Sequence, residues 1–287
     1  MKYIVYPWLL LLASTGFSQS PSLKLWYREP AGSVWENALP VGNGRLGAMV
    51  YGNVEKDIIQ LNEHTLWSGS PNRNDNPAAL ASLPEIRRLI FAGQQKEAER
   101  LANQTIITKQ SNGQIFQPLG NLNLTFPGHK QVAYYRRELD IEQAIARTTY
   151  RIGSVIYTRE VLASLPDQVI VVRLQASRSG QLTFRASLDT PQPNARIKTS
   201  GDDLTIDGTT TDHEGVKGLV KFSGLVRIKL DGGRLMVSDT ALSVQGARSA
   251  TLYIAAATNF TRYDDLSGNQ QQRAVTMLNK VFRQSYV

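Results

Sequence analysis

The 287-residue sequence contains no cysteine, which excludes disulfides, thiolate catalysis, cysteine zinc sites and iron–sulfur ligation. It has only three histidines, His64, His129 and His213, far apart and without an H-E-x-x-H or comparable pair, so a histidine-built metal centre is not expected. Long like-charge runs are also missing. The 32 basic and 24 acidic residues give a formal net charge of +8, but they are interspersed, whereas nucleic-acid binding calls for a basic stripe. Arg136, Arg137, Arg147, Arg151, Arg159, Arg173, Arg178 and Arg185 make the middle of the chain basic, yet they alternate with apolar residues as on strand surfaces. No apolar run reaches the roughly 20 residues of a membrane-spanning helix. Neither a metal nor a cofactor, a nucleic acid nor a membrane span is therefore expected, and any chemistry must rest on carboxylates, amides and aromatics.

What is present suits a globular protein. At 41% apolar residues, a chain of this length can build a core without crosslinks. Residues 1–18, MKYIVYPWLLLLASTGFS, have a basic start, an apolar stretch and small residues near a cleavage point, the pattern of a secretory signal. A periplasmic or secreted location in a bacterium is the expectation. From Leu23 onward, short alternating runs are bounded by Gly, Asn, Asp or Pro. Examples are Leu122–Phe126, Ala144–Arg151, Val155–Ala163, Val169–Gln175, Leu182–Leu188, Leu225–Leu230 and Leu252–Ala257. Most neighbours lie too close for crossover helices, so the pattern predicts a mainly β fold, a large antiparallel β-sandwich over residues 19–262. Two helices interrupt it. One is a short insertion, with Ser82 as a possible cap, Pro84 early, and Ile86, Leu89, Ile90, Ala98 and Leu101 on one face across Gly93. The other runs from Gln270 to Phe282 with Ala274, Met277, Leu278, Val281 and Phe282 at helical spacing. Its apolar stripe either packs back on the sandwich or begins a further region over residues 263–287.

The segment Trp35–Gly69 carries the densest set of polar groups. Gly42-Asn43-Gly44-Arg45-Leu46-Gly47 matches G-x-G-x-x-G in form, but a dinucleotide fingerprint needs a strand before it and a helix opening at its last glycine. Here a strand pattern follows, so the glycines are read as tight backbone around an exposed Asn43–Arg45 tip. After a strand over Asp57–Leu61 comes Asn62-Glu63-His64-Thr65-Leu66-Trp67. Amides, a carboxylate and an indole close together suit a sugar site, and Trp35-Glu36-Asn37 repeats the combination. A structured loop, with Asn62 and Glu63 holding backbone groups and Trp67 in the core, explains the same residues. The candidate residues are Trp35, Glu36, Asn43, Arg45, Asn62, Glu63, His64 and Trp67, bordering a sugar or a domain interface. Glu36, Glu55, Asp57, Glu63 and Asp75 are carboxylates with no spacing that forces the facing pair of an inverting glycosidase, and Glu55 and Asp57 fit a hairpin with solvated side chains. No residue is assigned a catalytic role.

The runs LPVGNGRLGAMVYGNVEKDIIQLNEHTLWSGSP, NPAAL, IRRLIFAG, FQPLGNLNL, YYRRELDIEQAIARTTY, YTREVLASLPDQVIVVRL, YIAAATNF and SGNQQQRAV, in this order, resemble the N-terminal domain of glycoside hydrolase family 95, the inverting α-L-fucosidases. The resemblance implies a galactose-mutarotase-like supersandwich followed by a linker helix and a catalytic (α/α)6 barrel, the expected partner, acting on a fucosylated glycan. In that family the acid and the water-positioning residues lie in the barrel, beyond the last residue here. The resemblance thus implies the N-terminal domain of a fucose-cleaving enzyme that is inactive alone. Two other readings stand beside it: a carbohydrate-binding or docking module, which needs an exposed Trp35 or Trp67, and a remnant that aggregates through Met277, Val281 and Phe282.

Overall fold

The computed structural model describes residues 23–108 and 113–284. The expected signal segment, residues 1–18, lies outside them. In chain order the elements are β1 (Lys24–Tyr27), a 3-10 turn (Trp35–Asn37), β2 (Leu39–Gly42), β3 (Leu46–Val50) and β4 (Lys56–Glu63). The helices α1 (Ala79–Phe91) and α2 (Gln95–Thr105) follow, then β5 (Gly120–Thr125), β6 (Tyr134–Asp140), β7 (Ile145–Ile152), β8 (Val155–Ser164) and β9 (Val169–Ala176). The remainder is β10 (Leu182–Asp189), β11 (Ala195–Ser200), β12 (Asp203–Thr209), β13 (Lys221–Asp231), β14 (Arg234–Ser238), β15 (Ala241–Ala247), β16 (Ser249–Thr258) and α3 (Gln270–Phe282).

The strands form two antiparallel sheets, one of nine strands in the order β1-β6-β7-β8-β9-β16-β13-β12-β11, the other of seven in the order β14-β15-β10-β5-β4-β3-β2. Alternation in the sequence is what puts them face to face. Ile59 and Leu61 on β4, Leu122 and Leu124 on β5, Phe184 on β10, and Leu174, Leu252 and Ile254 on the facing sheet all sink into one core. Each such side chain contributes about 1.5–3 kcal/mol by leaving water. Hairpin chemistry sets the register: Ile152 pairs with Val155 across a two-residue turn whose Gly153 has φ 55, a left-handed position that glycine takes without strain.

Every residue of β16 is buried, which departs from the alternation of a half-exposed antiparallel strand. The reason is α3. Leu252, Ile254 and Ala256 face the sandwich core, while Tyr253, Ala255 and Ala257 meet Ala274, Leu278 and Val281 of α3 on the outer face. The helix stripe is therefore covered by the sheet. Val281 is buried, Met277 and Phe282 pack against the same cluster, and Phe282 makes an edge contact with Tyr253 at 5.9 Å between ring centroids. The face proposed to drive aggregation is thus the inner face of a helix on a sheet.

The inserted helical segment differs from expectation at its start. The first helix begins at Ala79, so Pro84 lies inside it, and the Ser82 hydroxyl donates to the Ala79 carbonyl instead of capping. Gly93, with φ 74, separates two helices, and Ile86, Leu89 and Ala98 form a small cluster of their own.

Asp57 is not a solvated carboxylate. It and Arg159 are both buried and point inward from β4 and β8, joining the two sheets through an ion pair of 2.9 Å. The Asp57 carboxylate also accepts the N–H groups of Asn53 and Ile58. The Arg159 guanidinium donates to the carbonyls of Asn53 and Val54, both at 2.6 Å, and to the Tyr150 hydroxyl at 2.5 Å, and lies 3.7 Å from the Phe126 ring centroid. Since a guanidinium only donates, the Tyr150 O–H is left to donate to Nδ1 of His129, 2.9 Å away. Burial, with the Arg159 charge adding to it, pushes the His129 imidazole down to about 4. Burial pushes the Tyr150 phenol up to about 12 against the opposing pull of Arg159. Glu55, by contrast, is solvated and pairs loosely with Lys130 at 3.7 Å.

Candidate functional site

The glycine motif spans the β2–β3 hairpin, with Gly42 paired to Gly47. Gly44 has φ 84 at its tip. Asn43 is buried and fastens the turn: its Oδ1 accepts the N–H groups of Arg45 and Leu46 at 3.1 and 2.8 Å, and its Nδ2 donates to the Ser164 carbonyl of the facing sheet. The turn sends Arg45 across the end of the sandwich. There the guanidinium donates to the carbonyls of Ala256 and Gln168 at 2.6 and 2.7 Å, to the Gln168 side chain, and to the Met277 sulfur of α3. It stands 3.5 Å from Glu63. Burial lowers the Arg45 pKa, and Glu63 opposes that shift.

Asn62 and Glu63 continue β4 instead of opening a loop. Strand alternation sends Glu63 inward and Asn62 outward. The Glu63 carboxylate accepts the N–H and hydroxyl of Thr65 at 2.8 and 2.6 Å, and the Thr65 hydroxyl meets that of Thr258 at the end of β16. His64 lies on the surface with Nδ1 3.6 Å from Glu63. From α3, Arg273 donates to the carbonyls of Thr258 and Phe260. Between these groups and α3 lies a cleft of about 670 Å³, lined on the helix side by Asn269, Gln272, Arg273, Thr276 and Met277. Glu63 is held by donors on both oxygens, so it orders the cleft wall.

A second cleft, of about 530 Å³, adjoins the first and shares His64, Thr65 and Phe260 with it. Trp67 forms its wall. The indole is 42% exposed, its N–H donates to the His64 carbonyl at 2.9 Å, and the Phe116 ring meets it edge-on at 5.5 Å. The rest of the lining includes Ser68, Ser70, Asn72, Gln114 and Tyr263. Ser68 is fixed by donating to Gln114 and accepting from the Ile115 N–H, so these two side chains are held in place. Such a site has a rigid aromatic wall, amides and hydroxyls, the combination that recognises a sugar ring.

The eight sequence candidates thus fall into separate places. Asn43, Arg45, Glu63 and His64 gather at the α3-side cleft, with Asn43 behind its wall. Trp67 forms the adjoining cleft. Trp35 is 51% exposed and donates to the side chain of Gln60 on the outward side of β4, and exposed Glu36 stands beside it in the 3-10 turn, away from both clefts. Asn62 shares that outward side, opposite Gly47. Sequence reasoning passed over Phe116, Gln114, Thr258, Phe260, Tyr263 and Arg273, whose one visible signal was aromatic residues within polar loops. Among the described residues no group of three His, Asp or Glu is placed to hold a metal ion, and no helix is long and apolar enough to cross a membrane.

Comparison with known proteins adds the family. The chain is 34% identical to Alpha-L-fucosidase 2 of Arabidopsis thaliana over 94% of its own length and 35% of the relative's. It is 29% identical to Probable alpha-fucosidase A of Aspergillus niger, over 86% of the chain and 31% of the relative. Those names describe whole proteins of which this chain spans about a third. Among solved structures, the "Putative kojibiose phosphorylase from human microbiome" matches 86% of this chain and 33% of its own, at 11% identity and a TM-score of 0.48. The profile described as "Glycosyl hydrolase family 65, N-terminal domain" matches residues 25–263. This corrects the expectation of a family 95 fucosidase domain. The motifs behind that expectation serve the architecture: the glycine run makes a hairpin and Asn-Glu-His-Thr builds a sandwich end, roles that specify a fold without specifying an activity. With most of its length matched, the chain belongs to the glycosyl hydrolase family 65 N-terminal domain family.

Proposed function

We propose that this domain is a non-catalytic carbohydrate-binding module whose glycan lies in the Trp67 cleft. The observation that carries the reading is Trp67 itself, half exposed and locked in orientation by the His64 carbonyl and the Phe116 edge. A fixed indole face stacks on the C–H face of a pyranose, while Asn72, Ser70 and Gln114 line the cleft within reach of its hydroxyls. The cleft volume lies inside the range of about 300–1,000 Å³ usual for small-molecule sites. Membership of a glycosyl hydrolase N-terminal domain family supports a carbohydrate setting. A link to a catalytic carbohydrate-active domain is part of the reading, supported by relatives that extend well beyond the matched region.

The test is glycan binding by the purified chain, by array and then calorimetry. Trp67→Ala weakens binding at least tenfold, equivalent to about 1.4 kcal/mol, while Trp35→Ala, on the outward side of β4, retains it. Wild-type protein that binds no glycan, or a Trp67→Ala variant that binds as well as wild type, sinks the reading.

A further inference from the structure

We infer that the Trp67 cleft and the α3-side cleft act as one groove whose ligand is an oligosaccharide, not a single sugar ring; the inference rests on the carbohydrate-binding reading above. The two clefts meet at His64, Thr65 and Phe260, which line both. The His64 side chain at this junction is 57% exposed, so the space on either side of it opens to the same solvent. At about 670 and 530 Å³, the two volumes together exceed the range of about 300–1,000 Å³ of a small-molecule site. A single ring seated against Trp67 leaves the α3 side to water.

The chemistry of the lining changes along the groove in the way a chain ligand needs. The Trp67 end is lined by no Asp, Glu, Lys or Arg and is walled by aromatics, which suits one stacked residue. At the other end Arg45, Glu63 and Arg273 are each committed to protein partners and shape the floor. Above them, exposed Gln272 and Thr276 present an amide and a hydroxyl, while Asn269 and Thr261, whose side-chain oxygens accept from the Gln272 N–H and from Arg273, keep their own N–H and O–H donors, without an aromatic platform of the Trp67 kind. The stacked residue anchors the ligand, and the next residues cross His64 and hydrogen-bond beside α3.

The experiment compares affinity across malto-, cello-, galacto- and xylo-oligosaccharides of one to four residues. The expected result is an affinity at least tenfold higher for the best tri- or tetrasaccharide than for its monosaccharide. Thr276→Trp, an exposed helix position that fills the α3-side cleft, collapses that ratio toward one, and Val275→Trp, which adds the same bulk at an exposed α3 position outside that cleft, keeps it. Affinity independent of length, or a ratio that survives Thr276→Trp, overturns the groove while leaving the Trp67 site standing. Absence of binding to every sugar overturns both. Melting temperatures within about 2 °C of wild type for both variants show that the ratios report on the groove, and a larger drop moves the same test to Gln272→Trp.

Discussion

Replacing Arg159 by methionine tests whether the two sheets are held together by a buried charge pair. The substitution keeps most of the stem volume and removes the partner of Asp57, which is only 3% exposed. Breaking one side of a buried ion pair costs about 3–5 kcal/mol, because the remaining charge is uncompensated. The carbonyls of Asn53 and Val54 and the Tyr150 hydroxyl lose a donor as well, which places the cost at the upper end of that range. For a domain of this size 1 kcal/mol moves the midpoint by about 2–4 °C, so a cost of about 4–5 kcal/mol means that Arg159→Met lowers Tm by about 8–20 °C. Asp57→Asn keeps an acceptor for the Asn53 and Ile58 N–H groups but leaves Arg159 as the unpaired charge. Urea denaturation followed by tryptophan fluorescence closes the cycle: the double variant is less destabilised than the sum of the singles by at least about 1.5 kcal/mol, within the range for residues in contact. A cost under about 1 kcal/mol for Arg159→Met, or strict additivity, refutes the argument that the pair joins the sheets.

His129 gives the same cluster a pH dependence. Its folded pKa, lowered to about 4, lies below the unfolded value of about 6.5. The unfolded chain therefore binds the proton first, and the contribution of neutral His129 is full above about pH 6.5 and is lost as pH falls toward 4. The shift corresponds to at most about 3 kcal/mol, and solvation near the ring reduces it to about 1–2. In His129→Phe the stability slope between pH 6.5 and 4 is shallower by that amount, and a slope equal to wild type refutes the assignment. On α3, Leu278→Ala removes a side chain with no exposure and costs about 2–5 kcal/mol. Val275→Ser, on the exposed side, changes the urea midpoint little, and equal effects at the two positions refute the packing of α3 on the sheet.

The strands were legible because their signal is local. Val155–Ala163, Val169–Gln175 and Leu182–Leu188 alternate under gaps too short for helices, and they correspond to β8, β9 and β10 within a residue or two. The α3 stripe was equally plain, since Ala274, Leu278 and Val281 recur at helical spacing, but its partner was not, because the covering residues Tyr253, Ala255 and Ala257 lie in a strand that reads the same on both faces. The start of α1 was misjudged because Pro84 reads as a first-turn residue, yet it is tolerated one turn further in. Sites made by distant residues left no local trace. Asp57 and Arg159 are 102 positions apart, and Thr65 meets Thr258 across 193. In the Trp67 cleft the indole and the Ser68 and Ser70 hydroxyls came from one stretch of sequence, while Gln114 and Tyr263 came from loops whose convergence only the fold supplies.

The position of β16 has a consequence for the order in which the protein is made. It is the last of the described strands in sequence but lies inside the nine-stranded sheet, between β9 and β13. Until Ser249–Thr258 has emerged from the ribosome, β1 and β6–β9 on one side and β11–β13 on the other have no strand between them, and each ends in an open edge of unpaired backbone groups. Those edges are the part of the nascent chain most able to pair wrongly. Strand insertion at this point joins residues distant in sequence, the kind of contact that slows folding. The nine-stranded sheet therefore cannot close before β16 is available, and α3, the next described element in sequence, covers the seam once it has closed.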